Sequence, residues 1–265
     1  MNKQIKMQFG FCELAVVPVR TDPSDRAEMS TQLMFGDLVE VNESSGNWFR
    51  IRSWYDGYEG WIDAKQIRLI GIAEYTRLTA AGLFVNRELV ADSVMYNGMT
   101  VRLAPGSSFY DLKGRVMQVE EQQYVILATL YPFRFDGYDQ IIDTAMGFLS
   151  SSYLWGGKTF LGMDCSGLTQ VVYKQHGIRL LRDAAQQATQ GEMVSFLSDG
   201  KPGDLAFFDN PEGRIVHVGI LLAHQKILHC SGKVRIDDID HQGIYNRELG
   251  KYTHSLRLIK RMVGA

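Results

Sequence analysis

The spacing of apolar residues along the chain of 265 residues changes near Tyr138. Before this point, apolar residues form short clusters of strand length, separated by segments rich in Gly, Asn and Asp. After it, Ile141, Ala145 and Phe148 recur at helical spacing, and strand-like runs follow only later. Short, closely spaced strands are typical of small β-barrels, and helices followed by strands are typical of an α+β domain. The sequence therefore predicts an all-β N-terminal region and an α+β C-terminal domain.

The N-terminal region divides further into two predicted barrels. Strand-like clusters at 38–41, 48–52 and 60–62 are joined by turn-forming segments, which favours one small closed barrel. Residues 72–133 repeat this rhythm less regularly and predict a second, diverged barrel, ending where Pro132 cannot donate to a strand ladder. The predicted domains are 1–71, 72–133 and 134–265.

Charge and cysteine content exclude several classes of protein. Lys and Arg number 28 against 30 Asp and Glu, a balance that argues against a nucleic-acid or anionic-membrane binder. Cys12, Cys165 and Cys230 are too few for a disulfide framework, so free thiols are expected. No apolar run has the length of a signal peptide core or a transmembrane helix. The sequence predicts a soluble, cytoplasmic protein, with a secreted protein that has lost its signal sequence as the alternative.

Cys165 is the strongest candidate nucleophile. It follows a Gly-rich stretch and begins a predicted helix over 165–176, with Gly177 as the residue after the helix. Unpaired N–H groups and the helix dipole favour an anion at a helix N-terminus, so the position predicts a lowered thiol pKa. The alternative is a small cysteine buried in the core.

His217 and His229 are candidates for a catalytic base and the group that orients it. They lie in strand-like runs at 215–222 and 226–230, and both numbers are odd. A turn over 222–226 would set His229 opposite Gly219 and diagonal to His217, on one face of a hairpin. A single histidine in an apolar strand is more often a core residue, but two on one face favour catalysis.

The histidines do not have the spacing of a metal site. His217 and His229 lack the i, i+4 helical spacing of zinc proteases, and the chain has no Cys-x-x-Cys pair. The sequence predicts neither metal nor cofactor. It predicts solvent-facing side chains without local partners for the remaining histidines, which are His176, His224, His241 and His254.

Five motifs in order resemble the NlpC-type, papain-like cysteine peptidases of bacterial cell-wall metabolism, over about residues 138–262. They are Tyr153-x-Trp155-Gly156-Gly157, Asp164-Cys165-Ser166-Gly167, Pro202-Gly203-Asp204-Leu205, His217-Val218-Gly219-Ile220 and His229. The spacing of Gly36-Asp37, Gly46-Asn47-Trp48 and Gly60-Trp61 resembles bacterial SH3-like domains. These resemblances imply a papain-like catalytic domain, with helices packed on an antiparallel sheet, preceded by two SH3-like barrels.

The peptidase resemblance implies a role for each motif residue. Cys165 would be the nucleophile, His217 the general base and His229 the third member that orients the base. Tyr153 would assist the oxyanion hole, with the backbone N–H of Cys165 as the other donor.

The three-domain arrangement resembles one branch, the γ-D-glutamyl-L-diamino acid endopeptidases of murein recycling. These enzymes cleave L-Ala-γ-D-Glu-diamino acid peptides and require a free N-terminal L-Ala. The resemblance implies that Glu28, Tyr58 and Asp164 hold the substrate ammonium group, because carboxylates around a cation disfavour an acylated amine. A solvated Glu, a core Tyr and a helix-capping Asp are the alternatives.

Further peptide-binding residues are implied beside the nucleophile. Ser166, Arg182 and Asp183 fall at positions of the family's substrate site, but Ala184 follows where a polar residue is expected. Two other functions stay open: a papain-like amidase or acyltransferase acting on another amide or ester, and a non-catalytic cell-wall-binding protein. The presence of Cys165, His217 and His229 together argues against the latter.

Overall fold

The structure, a computed structural model, describes residues 8–89, 91–95 and 98–263. The chain divides into two units, Met1–Phe133 and Arg134–Ala265, called here the N-terminal and C-terminal units. Among the described residues, no helix is long and apolar enough to cross a membrane.

The first part of the N-terminal unit is a seven-stranded antiparallel sheet. Its strands are β1 (Gln8–Phe11), β2 (Val16–Arg20), β3 (Met29–Met34), β4 (Leu38–Ser45), β5 (Trp48–Ser53), β6 (Glu59–Asp63) and β7 (Arg68–Ile70). They pair in the order β3-β2-β6-β5-β4-β1-β7. The predicted strands within 38–62 are confirmed as β4, β5 and β6.

The second part of the N-terminal unit begins with a helix that the strand rhythm does not predict. Helix α1 (Ile72–Ala80) buries Tyr75 and Leu78 three residues apart, while Glu74 and Arg77 pair on its other side. The strands that follow are β8 (Leu83–Asn86), β9 (Ala91–Met95), β10 (Thr100–Leu103), β11 (Ser108–Tyr110), β12 (Val116–Val119), β13 (Gln122–Ile126) and β14 (Leu130–Pro132). They form two antiparallel sheets, in the orders β10-β9-β13-β12 and β11-β8-β14.

One hydrophobic cluster joins the two parts of the N-terminal unit. Phe11 and Phe35 from the first part pack with Phe109 and Tyr124 from the second, with ring centroids 5.4 to 5.7 Å apart. At the same junction Gly36 has φ +86°, and a Cβ there would lie 1.8 Å from the Ser108 carbonyl oxygen. The boundary at 71/72 and the second barrel therefore stay predictions, because both parts share this core.

The C-terminal unit has helices first and strands afterwards, in the predicted order. The elements are α2 (Tyr138–Gly147), β15 (Lys158–Thr159), β16 (Gly162–Met163), α3 (Cys165–Gln175), α4 (Ala184–Gln187), β17 (Glu192–Val194), β18 (Leu205–Asp209), β19 (Ile215–Leu222), β20 (Lys226–Ser231), β21 (Lys233–Ile239), β22 (Gly243–Asn246) and β23 (Lys251–Arg261). From β18 to β23 each strand pairs with the next, and β23 also pairs with β18, which closes the six strands into a barrel.

Helix α3 is the element that carries the candidate nucleophile, and it packs against β19 and β20. Its predicted span is confirmed, with His176 as the C-cap. Gly177 follows with φ +71°, and a Cβ there would lie 2.2 Å from the Arg134 backbone. The helix therefore ends where only glycine fits, and its other end is fixed against the barrel strands.

Candidate active site

Cys165 is the first residue of α3 and lies against strand β19. Asp164 caps the helix, and its Oδ1 accepts from the Gly167 N–H at 2.6 Å. Cys165 is 8% exposed, and the backbone amides of Val218 and Ser166 lie near enough to its sulfur to lower the pKa of the thiol. The contact with Val218 places the thiol beside the residue that follows His217 in the chain.

The pKa of Cys165 departs from the sequence prediction. Burial raises the pKa of the thiol to about 12, the nearby Asp164 carboxylate adds to the rise, and the backbone N–H donors only partly oppose it. The predicted lowering by the helix N-terminus is therefore wrong for this structure, because desolvation of a thiolate outweighs the helix dipole. At neutral pH the thiol is protonated and needs a base to become a nucleophile.

His217 and His229 lie on one face of the β19–β20 hairpin, as predicted. His229 is directly opposite Gly219, so it is diagonal to His217. The Nε2 atom of His217 is 2.9 Å from Nδ1 of His229, and both side chains are buried. Burial, with smaller contributions from His254 and His229, lowers the pKa of His217 well below its ordinary value, so its ring is neutral at neutral pH.

Asp237, on strand β21, continues this hydrogen-bonded chain. Its Oδ2 is 3.0 Å from Nε2 of His229, and Arg235 lies against the same carboxylate, with Nε 2.7 Å from Oδ2. Burial alone would raise the pKa of Asp237, but the hydrogen bonds from His229 and Arg235 outweigh it and lower the pKa. Asp237 is therefore ionised and can only accept hydrogen bonds.

The ionised carboxylate sets the tautomers of both histidines. Because Asp237 only accepts, a neutral His229 carries its proton on Nε2 and presents a lone pair at Nδ1. That lone pair accepts from Nε2–H of His217. The one proton of neutral His217 is then on Nε2, and its Nδ1 keeps a free lone pair. The hydrogen-bonded chain thus leaves Nδ1 of His217, on the side of the ring away from His229, able to accept a proton.

Two histidines predicted to face solvent lie instead against other side chains. His254, on β23, stacks on His217 with ring centroids 4.1 Å apart and planes 25° apart, because closure of the barrel brings these strands together. His176 is buried, with Nδ1 2.7 Å from an Asp136 oxygen and Nε2 2.8 Å from Thr144 Oγ1. Both predictions are wrong, whereas His224 and His241 are exposed as predicted.

Asp164, Arg182 and Ser166 form a buried network below the nucleophile. The two Nη atoms of Arg182 lie 2.6 and 3.1 Å from the two Asp164 oxygens, and Arg182 is 1% exposed. Ser166 Oγ accepts from Arg182 at 2.9 Å and is 3.3 Å from Asp164 Oδ1. Backbone N–H groups of Gly156 and Gly167 donate to the same carboxylate. In this structure the network fixes the start of α3, and its proposed contact with substrate stays a prediction.

Tyr153 lies close to the nucleophile and remains partly exposed. Its N–H donates to the Gly232 carbonyl at 3.0 Å, and it bridges to Met163 just before the helix. Burial, with the nearby Cys165 and Asp164, raises the pKa of Tyr153 to about 12. Its hydroxyl is therefore protonated at neutral pH and able to donate to an oxyanion.

The remaining predicted substrate residues belong to other elements of the two units. Asp183 caps α4 in a capping box with Gln186, and Ala184 is the buried first residue of that helix. In the N-terminal unit, Glu28 is exposed, and Tyr58 lines a surface pocket. The other residues that line the pocket are Thr21, Ser30, Arg50, Glu59, Gly60 and Trp61.

Asp237 is the member of the hydrogen-bonded chain His217–His229–Asp237 that the sequence does not predict. His229 pairs with Arg235 across β20 and β21, so Asp237, two residues further along, is diagonal to His229 on the same face. Side chains of the Lys233–Ile239 strand alternate between its two faces, and this alternation places Asp237 on the face of His229. The placement can be predicted only when the register between this strand and β20 is known.

Comparison with known proteins agrees with this architecture. The profile of the NlpC/P60 family matches residues 150–253, and the bacterial dipeptidyl-peptidase SH3 domain matches residues 19–67. A γ-D-glutamyl-L-lysine dipeptidyl-peptidase of Bacillus subtilis (strain 168) is 30% identical over 217 residues, covering 76% of this chain and 72% of that protein. Dipeptidyl-peptidase 6 of Lysinibacillus sphaericus is 24% identical over 255 residues, covering 86% and 91%.

A solved structure has the same fold over nearly the whole chain. The crystal structure of an NlpC/P60 family protein from Bacillus cereus ATCC 10987 superposes with a TM-score of 0.81, at 19% identity, and covers 96% of this chain and 99% of that one. Fold and relatives together define a hydrolase of the peptidase class. The chain belongs to the NlpC/P60 family and carries an SH3 domain of the bacterial dipeptidyl-peptidase type.

Proposed function

We propose that the chain is a cysteine peptidase in which Cys165 is the nucleophile and His217 the general base. The observation that supports this most is the chain of hydrogen bonds from His217 through His229 to Asp237, beside a thiol at the start of a helix. This arrangement supplies a nucleophile, a base and an orienting carboxylate, which together are the requirements of nucleophilic acyl transfer.

The reaction begins from a neutral thiol and a neutral imidazole. Nδ1 of His217 takes the proton as the sulfur of Cys165 attacks the carbonyl carbon, and the imidazolium is stabilised through His229 by Asp237. The backbone N–H of Cys165 and the hydroxyl of Tyr153 donate to the developing oxyanion. His217 then protonates the leaving amine, and water, deprotonated by the same base, releases the acyl-enzyme.

We propose the γ-D-glutamyl–diamino acid bond of L-Ala-γ-D-Glu-diamino acid peptides as the scissile bond. The similarity to the γ-D-glutamyl-L-lysine dipeptidyl-peptidase of Bacillus subtilis and the match to the dipeptidyl-peptidase SH3 domain support this substrate class. In this proposal Glu28 and Tyr58 recognise the free ammonium group. The Asp164 oxygens already accept from Arg182 and two backbone N–H groups, so in this proposal Glu28 provides most of the charge that selects a free amine.

The test is hydrolysis of L-Ala-γ-D-Glu-meso-diaminopimelate beside its N-acetylated form, measured as released diaminopimelate. We expect cleavage of the free amine only, and a kcat/KM lowered about 10- to 100-fold by Glu28→Gln, because a charge-assisted hydrogen bond contributes about 1.5–3 kcal/mol. Glu43→Gln, at an exposed glutamate of the same unit, is the matched control. Equal cleavage of both peptides would remove the amine requirement, and cleavage of neither would point to another amide substrate.

Asp237 is expected to control the rate through the histidine tautomers. In Asp237→Asn the amide NH₂ donates toward Nε2 of His229, which favours the tautomer that deprives His217 of its free lone pair. We expect kcat to fall roughly 10²- to 10⁴-fold with KM nearly unchanged. Asp238→Asn is the control, since its carboxylate is paired with Lys226 and Arg247 and has no contact to His229 among those described. Equal kinetics for the two variants would exclude this role.

The pH dependence should show that the Cys165 thiol and the His217 imidazole are both uncharged at neutral pH. Because the pKa of His217 is lowered, the apparent pKa of the acid limb of the kcat/KM profile should lie below 6.5, the ordinary pKa of histidine. Because the pKa of Cys165 is about 12, its alkylation by iodoacetamide should rise about tenfold per pH unit from about pH 7 to about pH 10. Cys165→Ala corrects for the other thiols. An alkylation rate that is already constant above about pH 5 would indicate a thiolate–imidazolium pair instead.

A further inference from the structure

Three imidazoles converge where the barrel closes, and the proposed mechanism uses only two of them. His217 lies on β19, His229 on β20 and His254 on β23, and one nitrogen of each lies within 4.8 Å of the others. His217 and His229 are buried, whereas His254 is partly exposed. Nδ1 of His254 is 2.9 Å from Thr253 Oγ1, which leaves its Nε2 for another ligand.

We propose that His217, His229 and His254 form a binding site for a divalent transition-metal ion of the Zn²⁺ type. Imidazole nitrogen is a preferred ligand of such ions, and three histidines with an open fourth position make a complete protein ligand set. The site does not depend on the peptidase function, because it requires only the three rings.

The surroundings of His229 support this assignment. A metal-ligating histidine commonly donates its other N–H to a carboxylate, which fixes the tautomer and raises the basicity of the ligand. His229 has this arrangement, with Nδ1 toward His217 and Nε2 on the ionised Asp237. The orienting carboxylate of the catalytic chain thus also serves as an outer support for a metal ligand.

The geometry requires a small adjustment. Nε2 of His217 and Nδ1 of His229 are 2.9 Å apart, whereas two nitrogens about 2.0–2.1 Å from a tetrahedral ion lie roughly 3.4 Å apart. The two rings must therefore separate by about half an ångström as the ion replaces the proton between them. Partly exposed His254 tilts from its stack on His217 to become the third ligand and provides the side from which the ion enters.

Metal binding would switch off the base. A metal on Nε2 of His217 leaves the single proton of the neutral ring on Nδ1, so no lone pair remains to accept a proton from Cys165. The ring keeps its proton, and only the tautomer changes. We therefore expect reversible inhibition, a consequence that rests on the proposed function, whereas binding itself does not.

The test is direct metal binding to the full chain. We expect one Zn²⁺ per chain in competition with a chromophoric chelator, and a Co²⁺ spectrum without a thiolate charge-transfer band. His254→Phe keeps an aromatic ring on His217 and removes the ligand atom, so affinity should fall at least about 100-fold. His241→Phe, at an exposed histidine, is the matched control. Cys165→Ala should bind like the original chain.

A second variant tests the site without altering a ligand. Asp237→Asn should weaken Zn²⁺ binding about 10- to 100-fold through the loss of the outer carboxylate, which guards against misfolding of His254→Phe. The proposal is overturned if the chain binds no stoichiometric Zn²⁺, if His254→Phe binds as tightly as the His241→Phe control, or if a thiolate band appears and Cys165→Ala loses it. Binding by a chain that hydrolyses no murein peptide would support the site while rejecting the proposed function.

Discussion

Replacing Cys165 with alanine should abolish hydrolysis and leave the fold intact. Loss of the nucleophile removes the acyl-enzyme route, and we expect kcat/KM to fall about 10⁴-fold or more. The substitution removes one sulfur atom from a residue that is 8% exposed, so the cost in folding free energy should stay within about 1 kcal/mol. The measurement is release of diaminopimelate, with circular dichroism and thermal unfolding as the check on folding.

Cys230 provides the matched control for this prediction. It is a second buried thiol, next to His229 in the chain, and burial raises its pKa to about 12 as well. Its sulfur donates to the Met163 carbonyl at 3.1 Å, on the opposite face of β20 from the histidine pair. We expect Cys230→Ala to retain most activity. Loss of activity in Cys230→Ala with a fully active Cys165→Ala would reassign the nucleophile.

The sequence predicts those parts of the candidate site that depend on one element or one hairpin. The helix at Cys165 follows from its capping residue and apolar stripe, and the shared face of His217 and His229 follows from strand parity. Asp237 is not predicted, because its place depends on the register between β20 and β21. His254 is not predicted, because it lies 25 residues after His229 and reaches the site only through closure of the barrel. Local patterns do not encode such long-range pairings.

Burial explains the remaining differences between sequence and structure. The helix N-terminus predicts a thiolate at Cys165, but the packing of α3 on the barrel desolvates the sulfur and reverses the direction of the pKa shift. Helix α1 is missed because its buried residues, Tyr75 and Leu78, lie in a segment where strands dominate on both sides. In both cases the deciding interaction comes from residues distant in the chain.

The pairing of Arg182 with Asp164 changes the meaning of a residue that the sequence assigns to substrate binding. The guanidinium contacts both oxygens of the carboxylate that caps α3, and Arg182 is almost fully buried. Buried ion pairs add little net stability over apolar substitutes, but removing one partner leaves a buried charge without compensation. Arg182 is therefore expected to act first on the position of Cys165, through the helix cap.

Arg182→Met should lower the folding stability of the C-terminal unit by about 3–5 kcal/mol, because Asp164 keeps only its backbone donors and one hydroxyl. Hydrogen exchange of the α3 amides under increasing urea measures this loss where it arises. Arg214→Met, which breaks an exposed pair with Glu212 at 3.9 Å, should cost less than about 1 kcal/mol. Adding Asp164→Asn to Arg182→Met removes the stranded charge and should restore part of the stability, so a double variant less stable than Arg182→Met alone would contradict this account. Activity should follow the same order, because a loosened cap moves the sulfur away from the N–H of Val218 and from the base beside it.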